Sequence, residues 1–187
     1  MKQLFWFIEN LGWAIRCSYN LWLHGAYGLA KVVEKMPFRY VVKYLRKYGA
    51  TIGENCRFER GVNIHRPTGK VPFEKLIIGD NVYLGHNTLI DLSEEVKIKD
   101  NVIIASRCQL WTHASYYSMD GTDNELVYGE HKAPIVIENN AIIYSNVIII
   151  HGVHIGEGAR VGANSLVNKN VNRNCLVGGV PARIIES

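Results

Sequence analysis

From Ile52 onward, apolar residues return at every sixth position, and this interval limits the folds open to the chain more than any other feature. The cleanest run, residues 137–172, reads IENNAI, IYSNVI, IIHGVH, IGEGAR, VGANSL, VNKNVN. Its first positions are Ile137, Ile143, Ile149, Ile155, Val161 and Val167, and its fifth are Ala141, Val147, Val153, Ala159, Ser165 and Val171. A period of six matches neither the 3.6 of a helix nor the 2 of an ordinary strand. It matches a chain coiled as a three-sided prism, in which each short side turns one large aliphatic inward and seats a small residue beside the corner. Gly, Asn and Asp between the strands tolerate the left-handed backbone that tight corners require. Weaker copies start at Ile52 (IGENCR, FERGVN), Ile78 (IGDNVY, LGHNTL, IDLSEE) and Ile98 (IKDNVI, IASRCQ, LWTHAS). The expected fold is mainly β, a coiled parallel prism over residues 49–187.

The count fails at Trp111-Thr112-His113. Residues 114–134, ASYYSMDGTDNELVYGEHKAP, are polar, rich in turn formers and predict one extruded loop. Loops of this length inside compact domains are uncommon unless they serve a function or are disordered. His113 takes the fourth position of the hexad that begins at Leu110, a corner expected to be exposed. Three hexads per coil, with two extra residues before Ile98, place the hexad at Ile90 beneath the one at Leu110. Asp91 and Ser93 then lie near Trp111 and His113, either as orienters of the imidazole or as corner residues bonded to their own backbone. The same count stacks His151 near His113 as a possible substrate contact. His65, His86 and His154 read as corner or surface residues.

Residues 1–48 obey a different rule. Leu4, Ile8, Leu11, Ile15, Tyr19 and Trp22 recur at steps of three and four, one face of a helix, widened by Trp6 and Trp13. After Pro37, Lys35, Arg39, Lys43 and Lys47 space a basic amphipathic helix, with Val41, Val42, Leu45 and Tyr48 available for packing. The segment holds eight Lys/Arg against Glu9 and Glu34, so it carries +6 of a chain total of +4. Two readings follow: a helical cap over the first coil, as solenoids need, or contact with an anionic membrane surface. Glu9 and Arg16 interrupt any signal-peptide core or membrane span. Apolar content of 48% and charged content of 20% fit a soluble globular chain, with no expectation of nucleic-acid binding. Cys17, Cys56, Cys108 and Cys175 lack the paired spacing of zinc ribbons or disulfide scaffolds, so reduced thiols in a cytoplasmic protein are expected, at the inner membrane face if residues 1–48 touch lipid.

The hexads over residues 49–187, His113 at the root of its loop, and the series YSN, VGANS, NK and GGVPARII resemble the hexapeptide-repeat acyltransferases, in the branch of galactoside, maltose and capsule O-acetyltransferases. The sequence departs from relatives in that branch at Ala114, often Pro or Asp, and Ile142, often aromatic. The resemblance implies a left-handed parallel β-helix, a homotrimer, acetyl-CoA as acyl donor, no metal, and a sugar or glycan acceptor. It implies His113 as catalytic base, and the coil count then makes Asp91, Ser93, Trp111 and His151 the candidates around the acceptor. It implies Ser145, Ala163, Asn168, Lys169 and Arg183 along the acetyl-CoA groove, the two cations facing phosphates. A hydroxyl attacks a thioester only as a base removes its proton, and imidazole, with an ordinary pKa near ~6.5, suits that task. N-acetylation of an amino sugar is the second reading. NVIIIHGVHIG also looks like the γ-type carbonic anhydrases, but Asn146 stands where the partner of His151 in a zinc site would be histidine. A noncatalytic scaffold is the remaining alternative.

Overall fold

The computed structural model describes residues 2–119 and 126–186. The chain from Thr51 forms the three-sided prism that the hexads predict, as the left-handed parallel β-helix that the resemblance implies. One side stacks Thr51–Ile52, Leu76–Ile78, Val96–Ile98, Ile135–Ile137 and His154–Ile155. A second begins at Arg57–Phe58 and rises through Tyr83–Leu84, Ile103–Ile104, Ile142–Ile143 and Arg160–Val161 to Leu176–Gly178, where Arg183–Glu186 folds back antiparallel. The third stacks Asn63–His65, Leu89–Asp91, Gln109–Leu110, Ile148–Ile149 and Leu166–Val167.

Every first-position aliphatic of the 137–172 run is buried, and so is every small fifth-position residue. Each fully buried Ile contributes about 1.5–3 kcal/mol relative to an exposed one, so the repeat is also the main source of stability. Asn55, Asn81, Asn87, Asn101, Asn140, Asn146, Asn164 and Asn174 all have φ between 55° and 61°. The side chains run as ladders between coils, Asn55 to Asn81 to Asn101 and Asn146 to Asn164. Asn146, the position that distinguishes this chain from a zinc anhydrase, is therefore a corner residue. A β-carbon on Gly85 would come within 2.5 Å of the Ser106 amide nitrogen of the next coil, which excludes larger residues there.

The described parts of residues 114–134 are mostly strand rather than an irregular loop. His113–Met119 pairs antiparallel with Leu126–Lys132, so the insertion leaves the prism as a β-hairpin arm. The Tyr116 ring occupies the space a side chain at its cross-strand partner Gly129 would need.

Two helices precede the prism. Helix α1 (Lys2–Glu34) is broken at Gly25, where φ is 63° and ψ −158°; helix α2 is Phe38–Lys47. Tyr40, Val41, Tyr44 and Leu45 of α2 are buried against the first coil. Arg46 donates from Nε to the Ile52 carbonyl and bonds the Gly53 carbonyl. The apolar face predicted in α1, however, is turned outward: Ile8, Leu11, Ile15, Tyr19 and Trp22 are exposed. Its packed side is instead Cys17, Leu29, Ala30 and Val33, with Trp13, Ala14 and Leu21 partly covered.

Candidate active site

The third side of the prism and the root of the arm build the site. Ile64, Ile90 and Leu110 stack in register, which aligns His65 with Asp91 and brings Trp111 to the next coil. The chain then turns out of the prism through Thr112 into His113. Asp91 is completely buried and His113 only 11% exposed. His113 lies at the predicted corner, but its ring is folded inward among neighbours rather than exposed.

His113 Nδ1 lies 2.7 Å from Asp91 Oδ2 and 3.2 Å from Ser93 Oγ. The same Asp91 oxygen accepts from the Thr112 backbone N–H at 3.0 Å and lies 2.5 Å from Thr112 Oγ1, while Asp91 Oδ1 accepts from Ser93 Oγ at 3.0 Å. Both carboxylate oxygens are thus bonded, and neither Asp91 nor Ser93 is occupied with its own backbone. A carboxylate against Nδ1 fixes that nitrogen as the N–H and leaves Nε2 with the lone pair, the tautomer a proton acceptor needs.

Rings enclose the imidazole. His65 stacks on His113 with centroids 5.7 Å apart and planes 13° from parallel. Trp111 meets both edge-on, at 6.0 Å from His113 and 5.4 Å from His65, and its indole N–H donates to Gln109 Oε1 at 2.8 Å. His65 was expected to be a surface residue, but it forms part of the site. Burial holds its pKa below the ordinary histidine value, against the opposing pull of Asp91. A neutral His65 spares His113 a like charge as it takes up a proton.

His151 follows Ile149 in the same column, one coil above Thr112. It stacks with His131 of the arm at 6.3 Å, and His131 with Tyr116 at 5.2 Å. Arg66, just after the strand Asn63–His65, is paired with Glu130 of the arm, and Lys132 Nζ lies 2.8 Å from the same carboxylate. His154 and His86 lie near Glu138 and Glu59 respectively, away from these rings. Thr112, His131, Arg66 and Glu130 were not singled out by the repeat pattern.

The residues expected along an acyl-donor groove divide into two groups. Asn168, Lys169 and Arg183 line one pocket of about 250 Å³ with Val167, Ala182 and Ile184. The Arg183 guanidinium bonds the Ala182 carbonyl at 2.8 Å. The tail reaches this pocket because Leu166 bonds both Gly179 and Ala182 through its backbone. Ser145 and Ala163 stack at a different corner, one coil apart, following the paired Ile143 and Val161. Stacking of Leu110, Ile149 and Val167 puts Lys169 in register with His151 and Thr112, two coils above the residue that precedes His113. Among the described residues no three His, Cys, Asp or Glu side chains converge as a metal site would require.

The site is thus a three-sided prism that carries, at the root of an arm, an imidazole held by a buried carboxylate. Two family models match: bacterial transferase hexapeptide (six repeats) over residues 134–169, and hexapeptide repeat of succinyl-transferase over residues 75–106. The galactoside O-acetyltransferase of Escherichia coli (strain K12) is 34% identical over 148 residues, which is 76% of this chain and 66% of that enzyme's length. A hexapeptide-repeat containing acetyltransferase from Vibrio cholerae superposes with a TM-score of 0.72 at 26% identity, over 87% of this chain and 90% of that one. A galactoside acetyltransferase in complex with coenzyme A gives 0.67 at 29% identity, over 80% of this chain and 70% of its own. The chain belongs to the hexapeptide-repeat acyltransferase family.

Proposed function

We propose that this chain is an acetyl-CoA-dependent O-acetyltransferase that modifies a hydroxyl of a sugar or glycan precursor, with His113 as general base. The observation that carries the reading is the 2.7 Å contact between His113 Nδ1 and buried Asp91, which prepares Nε2 to accept a proton. Nε2 removes the acceptor's hydroxyl proton as its oxygen attacks the thioester carbonyl carbon. The tetrahedral intermediate collapses, the carbon–sulfur bond breaks, and the imidazolium returns its proton to the departing thiolate. Asp91 stabilises the imidazolium during that interval, Ser93 and Thr112 hold Asp91, and Trp111 and His151 border the acceptor.

Acetyl-CoA fits the same reading. One of the similar structures holds acetyl coenzyme A and another coenzyme A. The corner of Ser145 and Ala163 offers backbone groups to a pantetheine arm, and Asn168, Lys169 and Arg183 place cationic and polar groups for its phosphates. Because Ser145 and Ala163 occupy a different corner from His113, a complete site is assembled between neighbouring subunits of a homotrimer, with residues 1–48 covering the first coil of each. Thiol release from acetyl-CoA over a panel of sugars and nucleotide sugars tests the function. Release with a hydroxyl acceptor that is lost in His113→Ala supports it, and release only with amino sugars would replace it by N-acetylation.

A further inference from the structure

The outward face of α1 has no role in the chemistry above. Phe7, Ile8, Leu11, Ile15, Tyr19 and Trp22 are all about half exposed or more, and Trp22 reaches 81%. They recur at steps of three and four, so they form one stripe along the segment before Gly25. Leu23 and Tyr27 are exposed as well. Scattered apolar residues on a surface need no explanation, but a contiguous aromatic and aliphatic stripe marks an interaction site.

Charge decides what fits the stripe. Glu9 and Glu34 are the only acidic residues of the first 48, and both are neutralised internally. Glu9 Oε2 lies 2.5 Å from Arg39 Nη2 and 3.2 Å from the Tyr40 hydroxyl, and Glu34 lies 2.9 Å from Lys31 Nζ. Arg16 lies over the Trp13 ring at 5.0 Å and Lys43 over Trp6 at 5.6 Å, so cations line the side of α1 that meets α2, behind the stripe. The same segment of a second copy would bring another +6 and repel the first. A negatively charged surface that accepts apolar side chains satisfies both features. No described helix is long and apolar enough to cross a membrane, which leaves binding along its surface.

We propose that α1 lays this face on an anionic lipid bilayer, with Trp and Tyr rings at headgroup depth and the flanking Lys and Arg against lipid phosphates. The apolar face of α2, in contrast, is occupied in packing on the first coil. Helix α1 also packs against the strand Asn63–His65, so docking would fix the site-bearing side relative to the membrane.

Sedimentation of the full chain with vesicles of three parts phosphatidylcholine to one part phosphatidylglycerol tests this independently of any acetyl transfer. The wild type should pellet with these vesicles at low salt, and at least tenfold less with pure phosphatidylcholine. Ile15→Glu combined with Trp22→Glu, both at exposed positions, should reduce binding to the mixed vesicles at least tenfold while leaving the assembly mass by light scattering unchanged. Absence of wild-type binding, equal binding by the double variant, or equal binding to uncharged vesicles would each overturn the proposal. A change of assembly mass in the double variant would also overturn it and assign the face to a second copy.

Discussion

Asp91 has no direct access to solvent, and its position sets what His113 can do. Removing its charge while keeping its shape separates orientation from packing. In Asp91→Asn the amide can still bond Ser93 and Thr112, but nothing then stabilises the imidazolium, and the favoured tautomer is lost. The expected result is a kcat lower by ~10²–10⁴-fold with little change in the KM for acetyl-CoA. His113→Ala should show a loss of the same order, ~10²–10⁴-fold, by the thiol-release assay. His65 gives a different kind of test. Its folded pKa lies below the ordinary value, so on acidification the unfolded chain takes the proton first. Stability is full above ~6.5 and falls as pH drops from there towards the lowered value. Urea midpoints between neutral and acidic pH should therefore decline more steeply for wild type than for His65→Gln. Equal slopes would remove His65 from the titration. His113, Asp91 and Ser93 could be located from the hexads because a repeat converts chain position directly into height and side. His65 could have been placed by the same count, through Ile64 beneath Ile90, but the chain between them is longer than one coil and hides the alignment.

At the scale of elements, the prism was readable because its period is imposed by steric closure at every corner. The helices were less so, since a helical stripe states which residues share a face but not which face meets the core. In α1 Cys17, Leu29, Ala30 and Val33 face inward and the stripe from Ile8 to Trp22 faces out, while in α2 the buried set is Tyr40, Val41, Tyr44 and Leu45. Leu45→Ala should cost about 2–5 kcal/mol in denaturant unfolding, the range for a large buried aliphatic. Trp22→Ala should stay within about 0.5 kcal/mol, as expected at an exposed position. The arm's attachment was also hidden, because Arg66 and Glu130 are far apart in sequence and meet only through the hairpin register. Lys132 and then Arg66 hold the Glu130 carboxyl below its ordinary pKa, so the anchor persists above that ordinary value and is released as pH falls through the lowered one. Glu130→Gln should loosen the arm and raise the acceptor KM several-fold at neutral pH, leaving the acetyl-CoA KM unchanged.

For the whole molecule, the separation of Ser145 and Ala163 from the corner of His113 fits the proposed trimer, in which a donor along one edge would deliver its thioester to a base on a neighbour's edge. Lys169 and Arg183 complicate that division, since they share a pocket and Lys169 rises in the column of Thr112, beside His113. If this pocket holds the phosphates of acetyl-CoA, its cations act far from the reacting carbon and stabilise bound substrate and transition state equally. Such uniform binding appears in KM and leaves kcat nearly untouched. Lys169→Ala and Arg183→Ala should each raise the acetyl-CoA KM several-fold, with a shallower dependence on ionic strength than wild type, because each removes one charge that salt would screen. The acceptor KM should not move, and light scattering should return a trimer for wild type and both variants. An unchanged acetyl-CoA KM in both would exclude the pocket from donor binding, and a kcat loss as large as that of His113→Ala would place Lys169 at the reacting centre instead. A stable, fully active monomer would show that one chain completes the site alone.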